Sequence, residues 1–231
     1  MNKMLFVSSI GRSGTKFLSN MISHAEKTHV YHEPLGMITG DRRAYVDSFL
    51  YKLQSDKYIT DIRGFYLKSM IQATHPAKYI EINGYLRRHI KQLKALGIDI
   101  DFIHLVRDPK KVIRSMMSKK ITILKQLQKA RGVDMFGLCC RIWANENKLL
   151  REDISHFVRL EDIVSDWDIY KKDILDYAGL KQSRESWGRA KNKKDNGTVQ
   201  FTFPEYGNWT VDQKRTFSKV CIPEGTHYGY C

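Results

Sequence analysis

The chain has 231 residues, 42% apolar and 28% charged, a composition that excludes a disordered polymer and suits one folded domain with a substantial core. No apolar run approaches the roughly 20 residues of a membrane-spanning helix, and Met4–Val7 is too short for a signal-peptide core, so a cytoplasmic protein is expected. The formal net charge of +14, from 39 basic and 25 acidic residues, directs the chain toward anions: a phosphorylated cofactor, nucleic acid or an anionic membrane.

The first predicted element is a strand over Met4–Val7, which runs on through Ser8-Ser9-Ile10 into Gly11-Arg12-Ser13-Gly14-Thr15-Lys16. Phe17–Ile22 then reads as a helix. A strand, a tight turn and a helix N-terminus aim several backbone N–H groups and a helix dipole at one point. Lys16 adds a full positive charge there, and Ser13 and Thr15 add hydroxyl donors. Such a point suits a phosphate or a similar anion. Gly11 and Gly14 are separated by two residues rather than four, so this is not the usual nucleoside-triphosphate loop.

Thr28–Tyr31 reads as a second strand, ending at His32-Glu33-Pro34, and a helical spacing follows from about Asp41 to Gln54. Lys78–Asn83 is a predicted strand. Residues 84–93 form an expected basic helix with Leu86, Ile90 and Leu93 on one face, before another apolar strand, Asp101–Val106. Asp108 and Pro109 give the N-cap and first turn of a helix whose buried stripe is Val112, Ile113, Met116 and Met117. Further helix is expected over Leu138–Leu150 and Asp168–Tyr177, a short strand at Phe157–Leu160, and a mobile polar loop over Gly188–Gly197. Alternating strands and helices argue for a three-layer α/β fold with a parallel sheet, as one domain spanning 1–231.

Cys139, Cys140, Cys221 and Cys231 show no metal-ligand spacing and are expected as reduced thiols. Asn196 and Asn208 each begin a glycosylation sequon, taken as chance matches. His104, inside an apolar strand, is expected as a satisfied core histidine. Trp143, Trp187, Tyr206 and Trp209 could shape an aromatic acceptor or sugar platform, although core packing is the better reading of each.

Arg107 directly follows an apolar strand, at the carboxyl edge where parallel α/β sheets bind ligands. Ser115 comes eight residues later, on the next helix. A guanidinium fork and a hydroxyl together suit a second phosphate. Glu33 lies just past the second strand, where that strand's carboxyl end faces the same cleft, and is the candidate general base. His32 ranks below it, because successive strand residues face opposite ways.

Gly11–Lys16 resembles the 5′-phosphosulfate loop of the sulfotransferases that use 3′-phosphoadenosine 5′-phosphosulfate (PAPS). Leu105–Ser115 resembles their 3′-phosphate motif, with the same Arg-to-Ser spacing. Phe157–Ile163, Gly207-Asn208-Trp209 and Tyr228-Gly229-Tyr230 look like later family segments, so the likeness runs from residue 5 to 230. Two departures suggest a bacterial-type or carbohydrate-type member. Leu160 stands where many members carry an adenine-flanking Tyr. Thr202-Phe203-Pro204 stands where cytosolic members have Arg-Lys-Gly, so Arg189, Lys191, Lys193 or Lys194 is the candidate to close over the 3′-phosphate.

The resemblance implies a P-loop-like α/β fold with a central, mostly parallel sheet flanked by helices. It implies in-line sulfuryl transfer from PAPS, leaving PAP, to an acceptor hydroxyl, with a carbohydrate or small-molecule alcohol favoured and no metal required. Gly11, Arg12, Ser13, Gly14, Thr15, Lys16, Arg107 and Ser115 would bind the cofactor. Lys16 would stabilise the leaving oxygen and Glu33 would act as base. Asn83 and Gly84 are candidate acceptor-site lining, or simply a turn. Two alternatives stay open: a P-loop kinase holding Mg²⁺ through Asp108, and a basic nucleic-acid-binding domain.

Overall fold

Strands β1 (Met4–Ser8), β2 (Thr28–His32), β3 (Lys78–Ile82), β4 (Ile100–Val106) and β5 (Phe157–Arg159) form one sheet in the order β2-β3-β1-β4-β5. Every pairing is parallel. The structure, a computed structural model, describes residues 3–34, 59–118, 134–192 and 202–230. The helix expected from about Asp41 to Gln54, together with Lys193, Lys194, Asn196 and Cys231, lies outside the described residues.

β1 is buried at all of its positions, and β4 at every position after Ile100. A parallel sheet covered on both faces demands such continuous apolar runs in place of alternation. The pleat still sorts the side chains. Leu5, Val7, Ile80, Ile82, Ile103 and Leu105 pack with Leu18, Met21 and Ile22 of helix α1 (Thr15–Ile22). Met4, Phe6, Tyr79 and Phe102 face the opposite layer, against Leu67 of α2 (Gly64–Thr74) and Ile90 and Leu93 of α3 (Ile90–Lys94).

Helix α4 (Pro109–Ser118) follows β4, with the Asp108 carboxylate accepting the Lys110 N–H at 2.8 Å, as the expected N-cap requires. Val112, Ile113 and Met116 bury its stripe against the long helix α5 (Met135–Asp153), whose Trp143 is fully buried. After β5 come α6 (Leu160–Ser165), α7 (Trp167–Tyr170) with a π turn over Lys171–Asp176, α8 (Arg184–Asn192) and α9 (Val211–Gly225). A capping box between Thr210 and Gln213 starts α9.

Two expectations need correction. The helix expected over residues 84–93 is only Ile90–Lys94. Asn83 Oδ1 accepts the Tyr85 N–H at 2.9 Å, and Arg87 donates back to the Gly84 carbonyl at 2.7 Å, so side chains draw residues 84–88 into a turn. The apolar stripe was read correctly, since Leu86, Ile90 and Leu93 are all buried. The mobile loop expected from Gly188 is helical as far as Asn192. Trp187 and Ala190, one turn apart, are buried, and Trp187 Nε1 donates to the Ile163 carbonyl at 3.2 Å. Arg189 pairs with Glu185 on the exposed side of α8, and Lys191 lies over the Trp187 ring.

The tryptophans are core: Trp143, Trp187 and Trp209 are all buried. Cys139, Cys140 and Cys221 are buried free thiols, and burial pushes Cys139 up to about 12. A buried ion pair not foreseen from the sequence joins Arg63 to Glu81 on β3, and Glu81 also accepts from Tyr79 Oη and Asn83 Nδ2, each at 2.8 Å. Among the described residues, no helix is long and apolar enough to cross a membrane.

His104 is fully buried and shares a 2.9 Å hydrogen bond with Asn147 Oδ1. Burial lowers its pKa to about 4 from the ordinary 6.5. The unfolded chain therefore takes up this proton first, and stability falls as pH drops between about 6.5 and about 4. By linkage the loss is on the order of 3 kcal/mol. Urea midpoints from pH 7 to pH 4 are expected to fall less steeply in His104→Gln, which keeps an amide donor but cannot titrate. Parallel slopes would remove His104 from the acid response.

Candidate active site

The loop between β1 and α1 is held by two left-handed residues, Arg12 (φ 76°) and Gly14 (φ 90°). Gly14 also sits under Leu160, because a Cβ placed there would come within 2.6 Å of Leu160 Cδ2. α1 then starts at Thr15 with no side-chain cap and no acidic residue in its first turn. Its first N–H groups and positive dipole end therefore face the loop. Ser13 is fully buried, and its hydroxyl has no hydrogen-bond partner among the described residues. Lys16 is exposed and makes no ion pair with a described residue.

The second predicted anion segment meets the first. Arg12 Nε donates to Ser115 Oγ at 2.9 Å across 103 residues of sequence, and Arg107 Nη1 donates to the Arg12 carbonyl at 3.1 Å. Burial, and then the neighbouring Arg107, lower the pKa of Arg12. Two guanidinium groups are thus held close together at the carboxyl ends of β1 and β4. Like charges in a partly desolvated setting call for a counter-anion. Arg107 Nε has no hydrogen-bond partner among the described residues, with Glu161 Oε1 4.0 Å away. A buried donor left in this way calls for a partner outside the described residues: a water, an ion or a ligand.

At the end of β2 the structure departs from strict strand alternation. His32 closes the strand, and Glu33 takes a left-handed φ of 48° while its N–H donates to the Ile82 carbonyl at 3.0 Å. The His32 ring meets the loop, with Nε2 3.0 Å from Thr15 Oγ1. The Glu33 carboxylate lies beside Gly84, whose added Cβ would be 3.7 Å from Glu33 Oε1 and 3.0 Å from the Ser9 carbonyl. Both residues therefore lie at the carboxyl edge of the sheet, His32 by the β1 loop and Glu33 by the turn after β3. The alternation that sets His32 behind Glu33 does not fix their directions here, because the strand ends at His32 and Glu33 is left-handed. Asn83 is fully buried and shapes the turn instead of lining a cleft.

Sequence reasoning missed the partners behind Arg107. Trp143 Nε1 donates to the Arg107 carbonyl at 3.2 Å. Glu161 accepts from Tyr230 Oη at 2.7 Å and from the Asp108 N–H at 3.4 Å, and Lys111 Nζ is 3.5 Å from it. Arg159 donates to the carbonyls of Tyr228 and Gly229 at 3.4 and 3.3 Å. The C-terminal residues thereby brace the turn that carries Arg107. Only the family likeness of these segments hinted at this, because no local pattern pairs residues so far apart.

A profile of the Sulfotransferase family matches residues 5–184, most of the chain and both candidate anion segments. The chain belongs to the sulfotransferase family. No curated protein sequence matches it. Solved structures share the fold of this sulfotransferase at low identity. The sulfotransferase domain of the Synechococcus PCC 7002 olefin synthase is 15% identical with a TM-score of 0.59, covering 100% of this chain and 95% of its own. The sulfotransferase domain from the curacin biosynthetic pathway is also 15% identical, with a TM-score of 0.57 and coverage of 95% and 98%. Mouse sulfotransferase SULT7A1 in complex with PAP is 13% identical, with a TM-score of 0.55 and coverage of 98% and 85%. In this sulfotransferase the parallel pairing of β1 with β4 puts the β1 loop and the residues after β4 on one edge of the sheet.

Proposed function

We propose that the protein moves a sulfuryl group from PAPS to a hydroxyl of a carbohydrate or small-molecule alcohol, with Glu33 as general base. The contact of Arg12 with Ser115, and of Arg107 with the Arg12 carbonyl, carries the reading. It draws two anion-binding segments into one cleft, as a nucleotide charged at both ends requires. The buried Ser13 hydroxyl and Arg107 Nε, both without partners among the described residues, fit the same ligand. The mouse neighbour's complex with PAP supports a PAPS donor. The two biosynthetic neighbours support a small-molecule acceptor.

When bound, PAPS supplies an activated sulfuryl group on a phosphate leaving group. Backbone N–H groups of Arg12–Thr15 would hold the 5′-phosphate, and Arg107 and Ser115 the 3′-phosphate. Lys16, on the first turn of α1, would offset the charge that grows on the leaving oxygen. Glu33, at the mouth between β1 and β3, would take the acceptor proton. Asp108, on which a kinase alternative depended, uses a carboxylate oxygen to cap α4.

Thermal-shift and calorimetric titration with PAP test the donor. The wild-type protein is expected to bind PAP in preference to Mg-ATP or random duplex DNA. Arg107→Ala is expected to weaken PAP about 10- to 100-fold, as loss of charge-assisted hydrogen bonds implies. Labelled sulfate from PAPS should then reach one class in a panel of alcohols and sugars. Absence of PAP binding by the intact chain would end the proposal.

A further inference from the structure

Thr15 is the first residue of α1, at the anion-facing end of the helix. His32 is the only hydrogen-bond partner of its hydroxyl among the described residues, at 3.0 Å from Nε2. A hydroxyl has one proton to give and two lone pairs to receive with. If His32 accepted the Thr15 proton, the hydroxyl would turn lone pairs toward any anion in the loop. If His32 donates from Nε2, the Thr15 proton is released to the anion. Each bond in such a donor chain then polarises the next.

We propose that His32 is a positioning residue that donates from Nε2 to Thr15 Oγ1, so fixing the Thr15 hydroxyl as a donor to the 5′-phosphate. The inference rests on the PAPS reading above and adds to it a residue outside both anion segments. The left-handed turn at Glu33 makes the arrangement possible, because it lets neighbouring residues serve one cleft in different ways. Glu33 lies toward Gly84 and the acceptor side, while His32 reaches the cofactor loop. The Thr15 bond exists before and during transfer, so it acts on cofactor affinity and not on the chemical step.

The test combines PAP affinity by calorimetry with kcat and KM for PAPS. His32→Leu is expected to raise the PAP Kd about tenfold, the worth of one such hydrogen bond, with kcat at saturating PAPS within about threefold of wild type. Thr15→Val should give a similar loss, and the double variant should bind no more than about threefold worse than Thr15→Val alone. His32→Gln, whose amide nitrogen falls close to Nε2, should restore affinity to within about threefold. Should His32→Leu fail to fold by circular dichroism, His32→Asn, with an amide too short to reach Thr15, carries the same expectation. Multiplying losses in the double variant, unchanged PAP affinity in His32→Leu, or no rescue by Gln would each overturn the assignment. A fall in kcat at unchanged affinity would also overturn it, by placing His32 in the proton transfer. A wild-type protein that does not bind PAP overturns the donor reading and this inference together. Normal wild-type binding with any of the preceding results overturns this inference alone.

Discussion

Glu33→Gln is expected to lower kcat by about a hundred- to ten-thousand-fold, the usual worth of a positioned general base, while PAP affinity stays within about twofold. Gln matches Glu in size and keeps one carbonyl acceptor, but cannot take the proton of the acceptor hydroxyl. The carboxylate lies by Gly84, outside the loop that contacts Arg107 and Ser115, so cofactor binding has no reason to suffer. Steady-state kinetics with the best acceptor, alongside PAP calorimetry, separate the two effects. Loss of PAP binding in step with kcat would make Glu33 a cofactor-binding or structural residue. Near-normal kcat would move the base elsewhere in the cleft.

The second large effect is expected at Gly14. Gly14→Ala places a side chain at φ 90°, a backbone strain of about 1–2 kcal/mol for an L-residue. It also drives the new Cβ to 2.6 Å from Leu160 Cδ2, so either the Leu160 side chain or the loop must shift. Both penalties fall on the segment whose N–H groups would hold the 5′-phosphate. PAP affinity is expected to fall by more than tenfold, with Tm also lowered. Leu160→Ala in the Gly14→Ala background should recover part of the affinity, because it removes the collision and leaves the strain. Full recovery would mean that φ is unimportant at Gly14. No recovery at all would mean that Leu160 does not press on the loop.

Leu160 shows how a departure from a family pattern can be read only in space. From the sequence it was a missing adenine neighbour. In the fold it is nearly buried, and it forms the wall against which Gly14 must remain without a side chain. Glu33 teaches the same lesson at short range, since the direction of its side chain relative to His32 depends on its own left-handed backbone angle, which the residues His-Glu-Pro do not dictate. Glu161 and Trp143 reach Arg107 from other elements, and no sequence spacing marks them.

The sequence alone determined the strands β1 and β4, the loop over Gly11–Lys16 and the helix start at Asp108-Pro109. Each of these depends on contiguous residues, where apolar runs, glycine and a capping carboxylate act over a few bonds. Tertiary structure alone decided that Arg12 would bond Ser115, that His32 would reach Thr15, and that residues 84–88 would turn while Gly188–Asn192 would coil into helix. Those outcomes follow from buried donors and apolar anchors finding partners far along the chain, and periodicity within one segment carries no record of such partners.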